Sequence, residues 1–109
     1  MQAKANDATA TFENGWLTIK HTGFGAIARG GTRPIRMHVK SIEAVELREP
    51  RLTAGWFTVV PASRVLLGPP VEPHRDPLTV RFSASALNDF KAILSAIRDL
   101  LLARTPVEA

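Results

Sequence analysis

An apolar stripe with helical spacing near the C-terminus restricts the fold more than any other sequence feature. Its members recur every three or four residues, and at about 100° per residue they occupy an arc of roughly 140°. They are Leu87, Phe90, Ile93, Leu94, Ile97, Leu100 and Leu101, opposite the polar residues Asn88, Asp89, Ser95 and Asp99. One side of a long helix must therefore be buried. Ser83 before the stripe and Pro106 after it predict where the helix starts and stops.

The residues before this helix are typical of short strands. Asn14-Gly15 lies between two alternating segments and predicts a β-hairpin, because this pair supplies the positive φ angles of a type I′ turn. Alternation and β-branched content predict further strands at 24–29, 34–39, 42–47 with a bulge at its start, 55–60, 64–67 and 78–82. Four prolines predict an exposed loop over 68–77. The order is about seven strands and then one helix.

Length and element order together predict the fold class. A chain of 109 residues supports a single core. Residues 1–8 are polar and aperiodic, so we expect a flexible N-terminal arm there and one domain over 9–104. Strands followed by a helix indicate an antiparallel α+β fold. We expect a small, strongly bent antiparallel β-barrel capped by the C-terminal amphipathic helix, which is a pleckstrin-homology-like arrangement.

Composition excludes several classes of chemistry. The chain has no cysteine, which removes disulfides, thiolate nucleophiles and cysteine-ligated zinc or iron–sulfur sites. No apolar run approaches the ~18 residues that a membrane-spanning helix needs. The first ten residues lack the hydrophobic stretch of a secretory signal, so we expect a cytoplasmic protein.

Several short motifs carry a family resemblance over most of the chain. They are Phe12, Asn14-Gly15, Leu17-Thr-Ile19, Gly30-Gly31, Arg33-Pro34-Ile35, Gly55-Trp-Phe57 and Phe82 before the terminal helix. In this spacing the chain resembles the actinobacterial family called domain of unknown function 4429, whose members are pleckstrin-homology-like. The resemblance implies a small β-barrel with a C-terminal helix, no established enzymatic activity, and an accessory protein of an actinobacterium or its phage. It offers no functional residues to carry over.

One glycine motif matches a cofactor-binding pattern. Gly23-Phe-Gly25-Ala-Ile-Ala28 fits the dinucleotide pattern G-x-G-x-x-A, which works only where a helix begins and receives the pyrophosphate. Gly30, Gly31 and Pro34 are predicted to leave no room for that helix, so turn glycines are the better interpretation. We expect no cofactor.

Candidate catalytic and metal-binding residues are scattered. His21, His38 and His74 lie on separate predicted elements without ligand spacing, which favours strand-face or solvated histidines over a metal site or a triad. Ser63, Ser83 and Ser85 lack the flanking glycines of a nucleophile elbow. The sequence therefore predicts a protein that is not an enzyme and has no catalytic or metal-binding residue.

Positive charge supplies the one candidate site. The net charge is +4, and the segment 14–42 carries five cations and no carboxylate. The candidate binding face is Lys20, Arg29, Arg33, Arg36 and His38, because strands beside one glycine-rich turn would bring these cations to a phosphate or an acidic patch. The alternative is a basic face that is merely solvated. Trp16 and Trp56 are either core or rim aromatics or interface anchors.

These features predict a non-catalytic protein-interaction module whose partner is another protein. The alternative is an anionic-surface binder that contacts membrane phospholipid or nucleic acid through the basic hairpin face, with weak affinity at a charge of +4. Leu102 falls outside the apolar arc of the terminal helix and is a candidate for a weak homo-oligomer contact.

Overall fold

The computed structural model of the protein describes residues 1–28, 31–62 and 76–104. These residues contain seven strands: β1 (Gln2–Lys4), β2 (Ala8–Glu13), β3 (Trp16–His21), β4 (Ile35–His38), β5 (Ile42–Arg48), β6 (Gly55–Pro61) and β7 (Thr79–Phe82). They also contain two α-helices, α1 (Gly23–Ala28) and α2 (Leu87–Arg104), and single 3-10 turns at Val39–Ser41 and Ala84–Ala86. The predicted strand at 64–67 and most of the predicted loop at 68–77 lie outside the described residues.

The described strands form two antiparallel sheets. One has the order β1-β2-β3-β4 and the other the order β5-β6-β7, and every neighbouring pair is antiparallel. The α+β class is therefore confirmed. The predicted closed barrel is not confirmed, because among the described residues no strand pairing joins the two sheets. Each sheet instead buries one face in a shared core.

The central hairpin forms as the sequence predicts. β2 and β3 pair from Ala8↔His21 to Glu13↔Trp16, and Asn14 (φ 52°) and Gly15 (φ 81°) make the turn. Two consecutive positive φ angles are the type I′ geometry, whose twist suits antiparallel strands. The sheet register is thus set by local chemistry.

The first residues of the chain differ from the expected flexible arm. β1 pairs with β2 through Gln2↔Thr11, Ala3↔Ala10 and Lys4↔Thr9, and Ala3 is completely buried. β1 also packs against α2. A three-residue alternation is too short to predict a strand, and only the neighbouring strand and helix make this one stable.

The prediction of a strand at 24–29 is wrong where the structure describes it. Residues Gly23–Ala28 form α1, with Ala26 N–H donating to Thr22 O (3.2 Å). Thr22 N–H also donates to Asp7 O (2.8 Å), and the Asp7 carboxylate lies where a side chain on Gly25 would be. Contacts with Asp7, which is distant in sequence, thus stabilise the start of α1. The alternation of residues within 24–29 gives no indication of these contacts.

The three-stranded sheet and α2 supply most of the large core side chains. A register shift between Ile42 and Ala44 confirms the predicted bulge of β5. Phe57, Phe90 and Ile97 are fully buried, and α2 packs mainly on β5 and β1. The predicted apolar stripe is therefore buried over most of its length, although Leu100 near its end is 40% exposed. No helix among the described residues has the length and apolar character to cross a membrane.

Candidate functional site

The outer face of the four-stranded sheet holds most of the predicted site residues. In β3, Leu17 and Ile19 point into the core while Trp16 and Lys20 are exposed. The register of β3 with β4 sets His38 beside Trp16. It also sets Arg36 beside Thr18 in the next outward row. Arg36 and His38 therefore share one surface with Trp16.

Three of these side chains contact one another. The Arg36 guanidinium carbon lies 4.4 Å from the centroid of the Trp16 ring, and the His38 ring meets the same indole edge-on at 4.9 Å between centroids. His38 is held in turn because its Nδ1 accepts from Lys40 N–H (3.1 Å). A guanidinium over an exposed indole contributes about 0.5–1 kcal/mol. We call Trp16, Arg36 and His38 the Trp16 stack.

A second row on the same face adds positive charge. Lys4, Thr9 and Lys20 are consecutive cross-strand neighbours in β1, β2 and β3. The two lysines lie two strand spacings apart, about 10 Å. Lys4 was missed by the sequence prediction because it was assigned to a flexible arm. The alternation of Gln2, Ala3 and Lys4 is the only sequence signal that points to it.

One further predicted cation, Arg33, is not among the strand residues of this face. Arg33 is exposed in the segment before β4. Arg29 lies outside the described residues. On the face itself the nearest carboxylate in the strand register is Glu13, opposite Trp16 at the end of β2, and it pairs with the N-terminal ammonium at 3.8 Å. The strand residues of this face are therefore basic, with one acidic side chain at the end of β2.

Trp56 lies on the other sheet and belongs to a separate surface. It is half-buried on β6, between Arg48 of β5 and Arg81 of β7 in one cross-strand row. The Arg81 guanidinium carbon lies 5.9 Å from the Trp56 ring centroid, a longer contact than the one at Trp16. The two tryptophans therefore cannot act as neighbouring anchors of one site, although they have similar partners.

An apolar groove adjoins the Trp16 stack. It lies between the hairpin turn and the C-terminal half of α2, and its lining includes Phe12, His38, Val39, Ala96 and Leu100. The partial exposure of Leu100 is explained by its position at this groove. Leu102 is 74% exposed further along α2.

The buried polar side chains His21 and Asp76 bond to residues near the start of β7, although His21 Nδ1 is buried without a hydrogen-bond partner among the described residues. His21 is 1% exposed and its Nε2 donates to Pro77 O at 2.7 Å. Asp76 accepts from Leu78 N–H (3.0 Å) and from the Thr79 hydroxyl (2.9 Å), which shapes the turn into β7. His21 therefore lies on the buried face of β3, which excludes the solvated alternative but not a strand-face histidine, and His74 lies outside the described residues.

The histidines and acidic side chains of the described residues are dispersed over the molecule. No three of their histidine, aspartate and glutamate side chains come together as a metal site. His21 and His38 bond to backbone groups. A short helix does begin at Gly23, contrary to expectation, but β3 before it and β4 after it are antiparallel neighbours. The parallel βαβ unit that a dinucleotide site requires is absent there.

Comparison of the chain with protein-family models, curated proteins and solved structures finds no match. The geometry of the Trp16 stack and its surrounding cations is therefore the basis for a functional proposal.

Proposed function

We propose that this chain is a non-catalytic protein-interaction module that binds its partner through the outer face of the four-stranded sheet. The observation that carries the proposal is the Trp16 stack, in which a 38% exposed indole is held between Arg36 and His38. Tryptophan and arginine are enriched among the residues that dominate binding energy at protein interfaces. Side chains that are already stacked in the free protein lose less conformational entropy on binding.

The charge around the stack indicates the chemistry of the partner. Lys4, Lys20 and Arg36 lie on the same face, and Glu13 at the end of the hairpin is paired with the N-terminal ammonium. Carboxylates of a partner would meet cations there rather than like charges. Arg36 presents a guanidinium that binds a carboxylate through two hydrogen bonds. The proposed partner surface is therefore acidic.

The proposal includes the finer fold assignment. Two antiparallel sheets followed by a C-terminal helix that packs on the core are consistent with a pleckstrin-homology-like module. On the resemblance described above, we propose a member of the domain of unknown function 4429 family, in an actinobacterium or its phage. That resemblance implies no established enzymatic activity.

A second candidate function is binding to an anionic surface, either membrane phospholipid or nucleic acid. The observation that favours it is the row Lys4, Thr9 and Lys20, which places two cations and a hydroxyl on the open face of a sheet. Such binding would be dominated by charge and would weaken steeply with salt. One exposed tryptophan, already covered by Arg36, supplies few stacking platforms for single-stranded nucleic acid.

Substitution of the two tryptophans separates the proposed surface from a general contribution of aromatic residues. The full chain is immobilised, a protein from an actinobacterial lysate is captured and purified, and its affinity is measured by calorimetry. Trp16→Ala should weaken binding at least tenfold, as expected for a residue worth more than 1.4 kcal/mol. Trp56→Ala is the matched control and should change affinity less than threefold. Equal effects, or loss only with Trp56→Ala, would contradict the proposal.

Salt dependence separates the two candidate functions. At about 0.15 M salt we expect little retention on vesicles of phosphatidylcholine with phosphatidylglycerol or on random-sequence DNA, because exposed charges are screened within ~8 Å. Strong retention on either surface, abolished by Lys4→Glu with Lys20→Glu at an unchanged melting temperature, would replace the protein-interaction proposal with the anionic-surface one.

A further inference from the structure

Within the described part of the chain, one edge of β4 has no strand partner. β4 is the last strand of the four-stranded sheet. Val39 N–H donates to Gly15 O (2.8 Å), which marks that pair as a hydrogen-bonded one. Bonded and non-bonded pairs alternate in an antiparallel ladder, so Met37 also bonds to β3 while Arg36 directs its N–H and C=O groups outward and His38 directs its N–H outward. The His38 C=O is at the cap of the 3-10 turn Val39–Ser41, where it accepts the first hydrogen bond of that turn. No backbone hydrogen bond among the described residues uses these outward groups.

The two faces of β4 differ in the same alternating way. Arg36 and His38 are on the outer face, beside Trp16. Ile35 and Met37 face the core but are only partly buried, whereas Leu17 and Ile19 on the neighbouring β3 are 1% exposed. The core is therefore incompletely covered at this edge, and one more strand would cover it.

We propose that the edge of β4 pairs antiparallel with an extended segment of the partner in which acidic and apolar residues alternate. The acidic residues would lie opposite Arg36 and His38 on the outer face, and the apolar residues beside Ile35 and Met37 on the inner face. Backbone bonds supply affinity in such strand addition and the alternating side chains supply specificity. The proposal names the kind of partner segment and rests on the proposed function.

Charge favours an acidic segment over a second copy of this chain. Two β4 edges paired antiparallel would bring the two Arg36 side chains onto one face, and like charges close together across a strand pair destabilise a sheet. Cations on an edge strand are a common protection against such self-pairing. An acidic strand would be attracted by the same positive charge. The charge on the β4 edge therefore disfavours pairing with a second copy of the chain and favours pairing with an acidic segment.

The probe is a fluorescein-labelled peptide of four Glu-Val repeats, and binding to the full chain is followed by anisotropy at about 0.15 M salt. We expect saturable binding. Two peptides of matched length serve as controls: Lys-Val repeats, and a block of four glutamates followed by four valines. At least tenfold weaker binding is expected for each, because one reverses the charge and the other loses the alternation. Absence of saturable binding by the Glu-Val peptide, or equal binding of the block peptide, overturns the proposal.

Methylation of the probe backbone tests the direction of the hydrogen bonds. Residues opposite Arg36 and His38 share their outer face and make the backbone bonds, so the N–H groups of the glutamates point at β4. Methylating the glutamate nitrogens should abolish binding. Methylating the valine nitrogens, in a peptide of identical composition, should leave affinity within about threefold, since these groups face solvent. Equal effects of the two methylations would overturn the pairing geometry.

A pair of substitutions at one position tests the same bond from the protein side. His38 has φ −79° and ψ 148°, close to the φ that proline requires, and Met37 before it is in a strand as a pre-proline residue should be. His38→Pro removes the outward N–H, whereas His38→Ala removes only the side chain. His38→Pro should bind the Glu-Val peptide about tenfold more weakly than His38→Ala. If its circular dichroism shows that His38→Pro does not fold, the two methylated peptides decide.

The remaining outcomes separate this inference from the proposed function. Trp16-dependent capture of a partner without binding of the Glu-Val peptide refutes strand addition alone. Unchanged capture by Trp16→Ala refutes the proposed function, whatever the peptide does. Sedimentation that shows a dimer of the chain, dissociated by His38→Pro but not by His38→Ala, would assign the edge to a second copy and overturn the acidic segment.

Discussion

Truncation of Phe90 tests how α2 is attached to the rest of the molecule. Phe90 is fully buried, and its ring stacks on Phe82 of β7 at 4.6 Å between centroids with 22° between planes. It also contacts Phe57 of β6 at 5.5 Å and 42°. Phe90→Ala removes both contacts and leaves a cavity, which costs about 3–5 kcal/mol at such sites. Folded domains have a total stability of about 5–15 kcal/mol, so much of it would be lost.

The assay is urea unfolding followed by tryptophan fluorescence and by far-ultraviolet circular dichroism. With a typical urea slope of about 1–3 kcal/mol/M, the midpoint should fall by roughly 2 M, with the slope unchanged. Phe90→Leu keeps most of the volume and should cost less than ~1.5 kcal/mol. A double-mutant cycle with Phe82→Ala should give a coupling of about 0.5–1.5 kcal/mol. A loss below ~1 kcal/mol for Phe90→Ala, or zero coupling, would refute the packing of Phe90 against Phe82 and Phe57.

Two further stability predictions follow from burial and from close backbone contact. Leu94→Asp should unfold the domain, because Leu94 is 9% exposed on the buried side of α2 and an unpaired carboxylate there costs several kcal/mol. Ser95→Asp on the exposed side should change stability by less than ~0.5 kcal/mol. Thermal melts that match the wild type for both variants would contradict this orientation of the helix. Gly55→Ala should destabilise the domain by about 1–3 kcal/mol, because a methyl group at Gly55 would collide with the carbonyl oxygen of Arg48 and with Pro50. A urea midpoint equal to that of the wild type would contradict this close contact of Gly55 with the backbone of Arg48.

The cations that cluster along the sequence are not the same set as the cations that share one surface of the protein. The sequence predicts a positive pole over 14–42, and the structure brings Lys20, Arg36 and His38 from that segment to one face. Lys4, from outside the segment, joins them through β1. The density of charge along a chain identifies a basic region, but strand pairing decides which cations share a surface.

Local chemistry by itself determined three parts of this protein. Asn14-Gly15 determined the hairpin, because few other residue pairs tolerate two positive φ angles in succession. The spacing of apolar residues determined α2 and its buried face. Alternation determined which side chains of β3 and β4 face outward, and with them most of the Trp16 stack.

Tertiary contacts decided the rest. The strand at Gln2–Lys4 forms because it pairs with β2 and packs against α2. Helix α1 replaces a predicted strand, and Asp7 contacts its start through Thr22 and Gly25. Whether seven strands close into a barrel or remain two sheets depends on pairing between strands far apart in sequence, and no local pattern encodes it. The separation of Trp16 and Trp56 onto different sheets has the same cause. Short-range propensity reports the conformation of a segment, whereas its neighbours are chosen by burial and hydrogen bonding across the whole molecule.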